Sequence, residues 1–426
     1  MSLLYERWRQ VAKERRKELA LRDLATGDAW TFEQLATAVE SSARGKPGLI
    51  CPHGHSAQFI LAVLRGWRDQ SVVCPLEPGQ KPPAVPLPPP GIAHLKLTSA
   101  TTGQSRVVAF TGAQLAADAE HILPTMGLRP EWPNLAVISM AHSYGFSNLV
   151  LPLTLFGIPL LVAPSPLPEA MRRAAQLFPA ITLPAVPALW RAWHEAAAIP
   201  NTVRLAISAS APLPITLERA VFEATGLKIH NFYGSSECGG IAYDSTPTPR
   251  LDDACVGQPM RHVRLSVNDE GCMLVQSRAV AETYWPEASP ALGQGRFQTS
   301  DLAEMTSGQV FLRGRLSDQI HVAGRKVSPE HVEHALRLHP GVRDCLVFGV
   351  PSPDADRTES IVACVAGKHS LSAESLKHFL LDRLPAWQVP REWWLVDSLE
   401  ANARGKLPRA EWRRKFLERQ KTDFAR

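Results

Sequence analysis

The sequence has little that would tie it to a membrane, a metal cluster or a nucleic acid. Its longest apolar run, residues 149–163, is broken by Pro152 and Pro159 and is too short to cross a bilayer. The seven cysteines form no CxxC pair and no spacing typical of a metal site, which favours reduced thiols. The net charge is only +5 and the basic residues are scattered, so we expect no nucleic-acid partner.

Length and composition indicate a folded protein of more than one domain. The 426 residues are enough for two or three domains, and 45% apolar with 20% charged residues excludes a disordered chain. The first residues are rich in Arg, Lys and Glu and lack the apolar core of a secretory leader. We interpret residues 149–163 as a buried strand and loop. A cytoplasmic protein without a membrane span is therefore expected.

The pattern of the chain changes along its length. Near the start, Thr31 is predicted to cap a helix over residues 33–39. Residues 75–90 hold eight prolines, which is typical of a stiff, extended connector. From residue 91 to about 300, predicted strands (135–139, 203–207, 227–230) alternate with predicted helices (113–126, 217–225), and this indicates a layered α/β core. A compact α+β unit follows, in which Ser328-Pro329 starts a helix. We predict a large multi-layer α/β N-terminal domain, residues 1–317, and a small mobile α+β C-terminal domain, residues 318–426.

Four groups of polar residues are candidates for chemistry. They are a hydroxyl-rich turn with Thr98, Ser99, Thr101, Thr102, Gly103 and Arg106; the turn Asn231-Phe232-Tyr233-Gly234-Ser235-Ser236-Glu237; Asp301 followed by Arg315, Asp318 and Gly324-Arg325-Lys326; and residues 402–407 with Lys406. Hydroxyls and backbone N–H groups can surround phosphates, an aromatic ring can stack on a base, and Mg²⁺ prefers carboxylate oxygen. Each motif alone is weak, because such turns are more often solvated loops or packing, and a lysine in a basic tail is usually a surface residue.

In this order and spacing, the motifs resemble those of the adenylate-forming superfamily: acyl- and aryl-CoA synthetases, adenylation domains of peptide synthetases, and luciferases. The resemblance covers about residues 95–410. It implies an AMP-forming acid–thiol ligase, which activates a fatty or aryl carboxylic acid with ATP as acyl-AMP and then forms a thioester with CoA. Two alternatives stay open: transfer to the phosphopantetheine of an acyl carrier protein, and a degenerate nucleotide-binding protein without turnover.

The resemblance also implies a role for each matching residue. Thr98, Ser99, Thr101, Thr102, Gly103, Arg106 and Ser236 would contact the ATP phosphates, and Glu237 would bind Mg²⁺. Ser210, Ala211, Pro212, Asn231, Phe232, Tyr233 and Gly234 would surround the adenine, with Asp301 and Arg315 at the ribose. Asp318 would be the hinge, Lys406 the catalytic lysine of adenylation, His142 a catalytic residue at the acid pocket, and Gly324, Arg325 and Lys326 the thiol side. The acid pocket is expected between residues 142–149, 209–212 and 234–240.

Several positions depart from the pattern of the superfamily. Relatives commonly have Gly at position 100, where this chain has Ala, and Pro-Lys-Gly where Ser105-Arg106-Val107 stands. Ala209 and Ser210 also occupy positions where glycine is usual. If residue 100 needs a positive φ, its alanine costs about 1–2 kcal/mol. The hydroxyl-rich turn begins early in the chain, which implies a shortened N-terminal region. Either a second copy in a homodimer supplies the missing part, or the pocket is more open.

Overall fold

The computed structural model describes residues 2–98, 106–352, 358–368, 370–399 and 408–424. The helices in these ranges are α1 (Leu3–Glu14), α2 (Phe32–Glu40), α3 (Ala57–Arg68), α4 (Gly112–Met126), α5 (Ser143–Gly145), α6 (Leu151–Phe156), α7 (Pro168–Gln176), α8 (Pro187–Glu195), α9 (Ile215–Thr225), α10 (Pro329–Arg337), α11 (Ala373–Leu381) and α12 (Arg409–Phe424). A π-helical turn, Phe146–Val150, joins α5 to α6, and short 3-10 helices cover Leu316–Asp318 and Ala386–Gln388.

The strands of the first half, up to the turn that carries Tyr233, are mostly short. They are β1 (Leu19–Asp23), β2 (Ala29–Thr31), β3 (Leu49–Ile50), β4 (Val72–Val73), β5 (Ile92–Leu97), β6 (Val107–Thr111), β7 (Asn134–Ala136), β8 (Leu160–Val162), β9 (Ile181–Ala185), β10 (Val203–Ser208) and β11 (Ile229–Ser235). Those of the second half are β12 (Gly239–Tyr243), β13 (Cys255–Pro259), β14 (Arg264–Val267), β15 (Cys272–Gln276), β16 (Thr283–Trp285), β17 (Leu292–Gly293), β18 (Arg296–Thr306), β19 (Gln309–Arg315), β20 (Ile320–Val322), β21 (Arg325–Val327), β22 (Val342–Pro351), β23 (Glu359–Gly367) and β24 (Glu392–Val396).

One large sheet spans most of the chain before residue 316. Its order is β14-β15-β18-β19-β13-β12-β11-β10-β9-β7-β8-β1-β2, with β17 beside β18. The strands from β11 to β1 in this order pair in parallel, whereas those from β11 to β14 pair antiparallel. A second sheet has the order β16-β6-β5-β4-β3. The predicted α/β layering is confirmed.

The part of the chain after residue 318 has a core of its own. Strands β22, β23 and β24 form a separate sheet, and β20 and β21 form a hairpin. Val332, Val347, Ile361 and Leu376 from α10, β22, β23 and α11 are buried together in one cluster. The large N-terminal core is a different cluster, which extends from Leu4 to Val310.

Several local predictions are confirmed, and one is wrong. Thr31 caps α2 as predicted, and the predicted helices and strand at 113–126, 217–225 and 203–207 are present as α4, α9 and β10. Residues 149–156 are helical, however, rather than a strand and loop. Pro152 lies in the first turn of α6, where a missing backbone N–H is tolerated, and Gly157 ends the helix with φ +70°.

No helix in the described part of the chain is long and apolar enough to cross a membrane.

Candidate active site

Three of the predicted site segments lie along one edge of the large sheet. Strands β9, β10 and β11 are parallel neighbours, and Ser208 at the end of β10 pairs with both Ala185 and Asn231. The carboxyl ends of parallel strands meet at the same edge of a sheet, which is where such folds bind ligands. The turn after β10, the Tyr233–Glu237 turn and the segment after β7 that contains His142 are therefore brought to a common edge.

Tyr233, Asp301 and Arg315 are in direct contact. Asp301 on β18 is paired with Arg315 on β19, and the Nε of Arg315 donates to Oδ1 of Asp301 at 2.8 Å. The hydroxyl of Tyr233 donates to the other oxygen, Oδ2. Burial, reinforced by the Asp301 carboxylate, raises the pKa of Tyr233 well above its usual value. The structure thus joins three predicted site residues that lie up to 82 positions apart (315 − 233) in the sequence.

Phe232 lies on the opposite side of β11 from Tyr233. Successive side chains of a strand point to opposite faces. The Phe232 ring packs against Tyr144, with their ring centres 5.8 Å apart, whereas Tyr233 reaches Asp301. The Phe232 side chain therefore lies on the side of β11 where the acid pocket is expected, and its placement at the adenine stays a prediction. Asn231 shares the face of Tyr233, and its buried side-chain amide donates to the carbonyl of Cys255 at 3.3 Å.

Glu237 is linked through Tyr284 to the end of the hydroxyl-rich turn. The hydroxyl of Tyr284 donates to Oε1 of Glu237 at 3.1 Å. The guanidinium carbon of Arg106 lies 5.1 Å from the centre of the Tyr284 ring, close enough for a cation–π contact. Burial first, and then the neighbouring Glu237 carboxylate, raises the pKa of Tyr284, so the hydroxyl stays a donor at neutral pH. One tyrosine therefore holds a cation over its ring and a carboxylate at its hydroxyl.

The two ends of the hydroxyl-rich turn are tied together. The backbone N–H of Thr98 donates to the carbonyl of Arg106 at 2.9 Å, and the N–H of Arg106 donates to the Thr98 hydroxyl at 3.0 Å. These two bonds close the turn at the end of the β5–β6 pair. Four predicted phosphate-binding residues, Ser99, Thr101, Thr102 and Gly103, lie outside the described residues, as does Ala100.

The His142 segment begins a helix that points into the core. The Nδ1 of His142 accepts from the backbone N–H of Tyr144 at 3.3 Å, which caps α5 and leaves Nε2 on the other side of the ring. Gly145 must be a glycine, because a Cβ at this position would lie 1.9 Å from the carbonyl oxygen of Ser139. This close approach brings the start of α5 tightly against the segment after β7.

The turn after β10 has a strained residue. Ser210 has φ +73°, a left-handed conformation that glycine adopts without cost. This explains why glycine is usual at this position of the superfamily pattern. Of the following residues, Ala211 is half-buried and Pro212 is exposed. In the neighbouring turn Ser236 is half-buried and Gly234 is exposed, so the Tyr233–Glu237 turn is accessible from this edge.

Asp318, the predicted hinge, is held by Arg409. The Nη1 of Arg409 donates to Oδ2 of Asp318 at 2.5 Å and lies 3.0 Å from Oε1 of Glu330. Its Nη2 donates to Oε1 of Glu333 at 2.8 Å, and its Nε donates to the carbonyl of Val347 at 2.8 Å. Arg409 is three residues beyond Lys406, which lies outside the described residues.

The predicted thiol-side residues lie on an exposed hairpin. Arg325 and Lys326 are in β21, and Gly324 precedes them with φ +75°. All three are exposed, and the guanidinium of Arg325 lies 5.0 Å from the ring centre of Trp387. The described contacts of this hairpin are with the C-terminal part of the chain.

Sequence reasoning missed a group of buried polar residues behind Glu237. Lys96 on β5 is 5% exposed, and its Nζ has no hydrogen-bond partner among the described residues. Asp118 on α4 is also buried and accepts from the Ser147 hydroxyl at 2.6 Å and from the backbone N–H of Gly240 at 3.0 Å. Two polar residues, His94 and Lys96, alternate with apolar ones in β5, and that alternation was the signal in the sequence.

Comparison with protein families decides the identity of the chain. Residues 61–285 match the model of the AMP-binding enzyme family, and residues 331–406 match the model of the AMP-binding enzyme C-terminal domain. The chain belongs to the AMP-binding enzyme family. The predicted membership of the adenylate-forming superfamily is thereby confirmed, together with its fold of a large N-terminal and a smaller C-terminal part.

Individual relatives of this family cover most of the chain. A probable 2-succinylbenzoate–CoA ligase of Mycobacterium tuberculosis is 31% identical over 351 residues, which cover 76% of this chain and 85% of the relative. A feruloyl-CoA synthase of an Amycolatopsis species is 26% identical over 357 residues, which cover 79% of this chain and 72% of the relative. The crystal structure of ATP-bound MatB from Rhodopseudomonas palustris has the same fold, with a TM-score of 0.85 over 97% of this chain and 99% of that chain at 18% identity.

Proposed function

We propose that the chain is an ATP-dependent acid–CoA ligase. In the first half-reaction a carboxylate attacks the α-phosphorus of ATP, giving acyl-AMP and pyrophosphate. In the second, the CoA thiol displaces AMP and forms the thioester. The predicted enzyme class, an AMP-forming acid–thiol ligase, is confirmed by the family match and by relatives that are named CoA ligases. The observation that carries the proposal is the contact of Tyr233, Asp301 and Arg315 on the sheet edge that also bears Glu237.

The nucleotide would bind along this edge. The Tyr233 ring would stack on the adenine, and the Asp301 carboxylate, already oriented by Tyr233 and Arg315, would accept the ribose hydroxyls in charge-assisted bonds. Ser210, Ala211, Pro212, Asn231 and Gly234 would line the same nucleotide site. The hydroxyl-rich turn would surround the phosphates, with Arg106 and Ser236 beside it.

The residues present fit a Mg²⁺ ion that accompanies the nucleotide. Mg²⁺ in phosphate-transferring sites is usually held by one or two carboxylates together with substrate phosphates, and it keeps several waters. Glu237 supplies one oxygen ligand in a half-buried position, and Tyr284 fixes the direction of its carboxylate. Bound there, the ion would neutralise phosphate charge.

The chemistry needs cations placed before the reaction begins. Attack on the α-phosphorus builds negative charge on phosphate oxygens, and preorganised donors stabilise this charge. We assign Lys406 to this task in the first half-reaction, with His142 at the carboxylate end of the acid pocket. A rotation at Asp318 between domains 1–317 and 318–426 would then bring Gly324, Arg325 and Lys326 to the site for delivery of the thiol.

CoA is the proposed acceptor, and a carrier-protein phosphopantetheine is the second candidate because it presents the same thiol. A degenerate protein without turnover is less well supported, since Glu237, Asp301, Arg315 and Lys406 are all kept. A homodimer and a cytoplasmic location stay predictions.

Pyrophosphate exchange with a panel of acids tests the first half-reaction. We expect exchange that requires one class of acid, and CoA-dependent release of AMP with the same acid. Lys406→Ala should lower the exchange by about 10²–10³-fold, as when one oxyanion donor is removed. Lys377→Ala, which changes an exposed lysine of the same domain, is the matched control. Exchange that is unimpaired in Lys406→Ala would remove Lys406 from its role, and no exchange with any acid would refute the ligase.

A further inference from the structure

Lys96 is a charged residue at a buried position of β5. It is paired with Val108 across β5 and β6, and Val108 is paired in turn with Tyr284 on β16. Residues that pair directly across neighbouring strands share a face of the sheet. Lys96, Val108 and Tyr284 therefore form a row on the inner face, and Tyr284 at its end contacts Glu237. The lysine thus lies behind the turn that carries Glu237.

The ammonium of Lys96 has three protons to donate, and no residue in the described ranges accepts one of them. Its Nζ is fully enclosed and lies 4.6 Å from the centre of the Phe110 ring, with which it makes a cation–π contact. Burying an unpaired ammonium costs several kcal/mol in general, so a protein keeps one only where something compensates for it. His94, two residues earlier on the same face, also has a buried ring nitrogen, Nδ1, that no described residue hydrogen-bonds.

Asp118 does not satisfy Lys96. Its carboxylate accepts from the Ser147 hydroxyl at Oδ2 and from the backbone N–H of Gly240 at Oδ1, and Lys96 Nζ donates to neither oxygen. Ser147 follows Phe146 in the helical segment after His142, and Gly240 is three residues beyond Glu237. These two residues belong to opposite walls of the expected acid pocket, so Asp118 ties the walls together at their far end.

The titratable groups that face Lys96 come from three elements. They are Asp118 on α4, Glu237 and Cys238 on the turn between β11 and β12, and His94 on β5 itself. Burial lowers the pKa of Lys96 despite the opposing effect of the acidic neighbours. An oxygen acceptor placed beside Nζ would restore the charged form and supply the missing hydrogen bond.

We infer that the acid pocket ends at Lys96, and that Lys96 donates to an oxygen acceptor, a carboxylate or a carbonyl, at the end of the acid opposite the activated carboxyl. This rests on the proposed ligase function and names its substrate class. The activated carboxyl would lie near His142, and the chain of the acid would run between the Phe146–Ser147 segment and the Glu237–Gly240 turn. Phe232 and Tyr144, which pack together on this side, would contact its apolar middle.

The test compares acids that differ only at the far end. Straight-chain acids of four to eight carbons are assayed by pyrophosphate exchange in three series: unsubstituted, with a ketone next to the last carbon, and with a second carboxylate. An aryl set with and without a ring carboxylate accompanies them. We expect the wild-type protein to prefer an oxygen-bearing acid over its unsubstituted partner by about 10-fold or more, since a hydrogen bond to a charged group has this value. The ketone and dicarboxylate series distinguish the two kinds of acceptor.

The Lys96→Met variant distinguishes a role of Lys96 in recognition of the acid from a role in the stability of the protein. Methionine keeps the length of the side chain and removes its charge, so the variant should fold with an unchanged or raised Tm. Its preference for the oxygen-bearing acid, as a ratio of kcat/KM values, should fall about 10-fold or more while the KM for ATP stays constant. Lys81→Met, at an exposed position of the Pro-rich connector, should leave the ratio unchanged.

Two outcomes would overturn the inference. They are a wild-type protein that prefers the unsubstituted acid in every pair, and a Lys96→Met ratio within two-fold of wild type. In the second case, a fall in the Tm of the variant would make the ammonium structural. A wild-type protein that exchanges pyrophosphate with no acid at all would instead refute the ligase function on which the inference rests.

Discussion

Replacing Asp301 by asparagine tests the nucleotide site, and the chain supplies its own control. Asp301 and Arg315 form one carboxylate–arginine pair between β18 and β19, and Glu304 and Arg313 form a second pair between the same two strands. The Asp301 side chain is 14% exposed and also bonded to Tyr233, whereas the Glu304 side chain is 56% exposed. Both pairs join the same two strands, and they differ in burial and in their position relative to the proposed site.

The expected magnitude follows from the bonds that the carboxylate makes. Asparagine keeps one acceptor oxygen and loses the charge, so the ribose hydroxyls would lose at least one bond to a charged group, worth about 1.5–3 kcal/mol. At about 1.4 kcal/mol per factor of ten, Asp301→Asn should raise the KM for ATP by about 10- to 100-fold. Glu304→Gln weakens an exposed, solvent-screened pair and should leave this KM within about two-fold.

The assay is pyrophosphate exchange at varied ATP with a saturating acid, after thermal melting has shown that both variants fold. A KM for ATP that is unchanged in Asp301→Asn would refute the placement of the ribose at Asp301. An equal rise in Asp301→Asn and Glu304→Gln would also refute it, since the effect would then come from the strand pair and not from the nucleotide.

Three further perturbations have defined outcomes. Ser210→Gly should stabilise the protein by about 1 kcal/mol, seen as a higher Tm, because it relieves the left-handed φ of +73°; an unchanged Tm would contradict this. Tyr284→Phe keeps the ring beneath Arg106 but removes the hydroxyl that orients the Glu237 carboxylate. The Mg²⁺ concentration for half-maximal exchange should therefore rise about 10-fold, and an unchanged concentration would contradict the assignment of Glu237 as a Mg²⁺ ligand. His334 donates to Asp253 at 3.1 Å, a bond that raises its pKa, so its stabilising contribution is complete below about pH 6.5 and is lost as pH rises through the raised pKa. The Tm of the wild-type protein should therefore fall more between pH 6 and pH 8.5 than the Tm of His334→Gln. Equal falls would contradict a pH-dependent contribution of the His334–Asp253 pair to stability.

The sequence allowed the polar motifs and several local helix signals to be recognised, because each is encoded by neighbouring residues. The Thr31 cap and its Gln34 partner, for example, form a capping box within four residues. Grouping Tyr233 with Asp301 and Arg315 needed the superfamily resemblance. In the large sheet β11, which carries Tyr233, is separated by β12 and β13 from β19 and β18, which carry the other two residues. The error over residues 149–156 had a local cause: proline was read as a helix breaker, although it is tolerated in a first turn.

The residues that were missed depend on pairings between distant strands and helices. Tyr284 reaches Glu237 because β16 pairs with β6, more than 170 residues earlier in the chain. The alternation of His94, Leu95, Lys96 and Leu97 is typical of a strand with one solvated face. In the structure both faces of β5 are covered, so the polar face carries buried donors instead of exposed ones. Periodicity alone could not show what covers this strand.

The same contacts limit where the proposed domain rotation can occur. Arg315 is bonded to Asp301 in the large sheet, whereas Asp318 is bonded to Arg409, whose other partners Glu330 and Glu333 lie on α10. Asp318 is therefore fixed to the small domain and Arg315 to the large one. The backbone torsions that are free to change without breaking either contact lie between them, in Leu316 and Ser317. A rotation at these two residues would therefore carry Asp318, Arg409 and α10 together as one body.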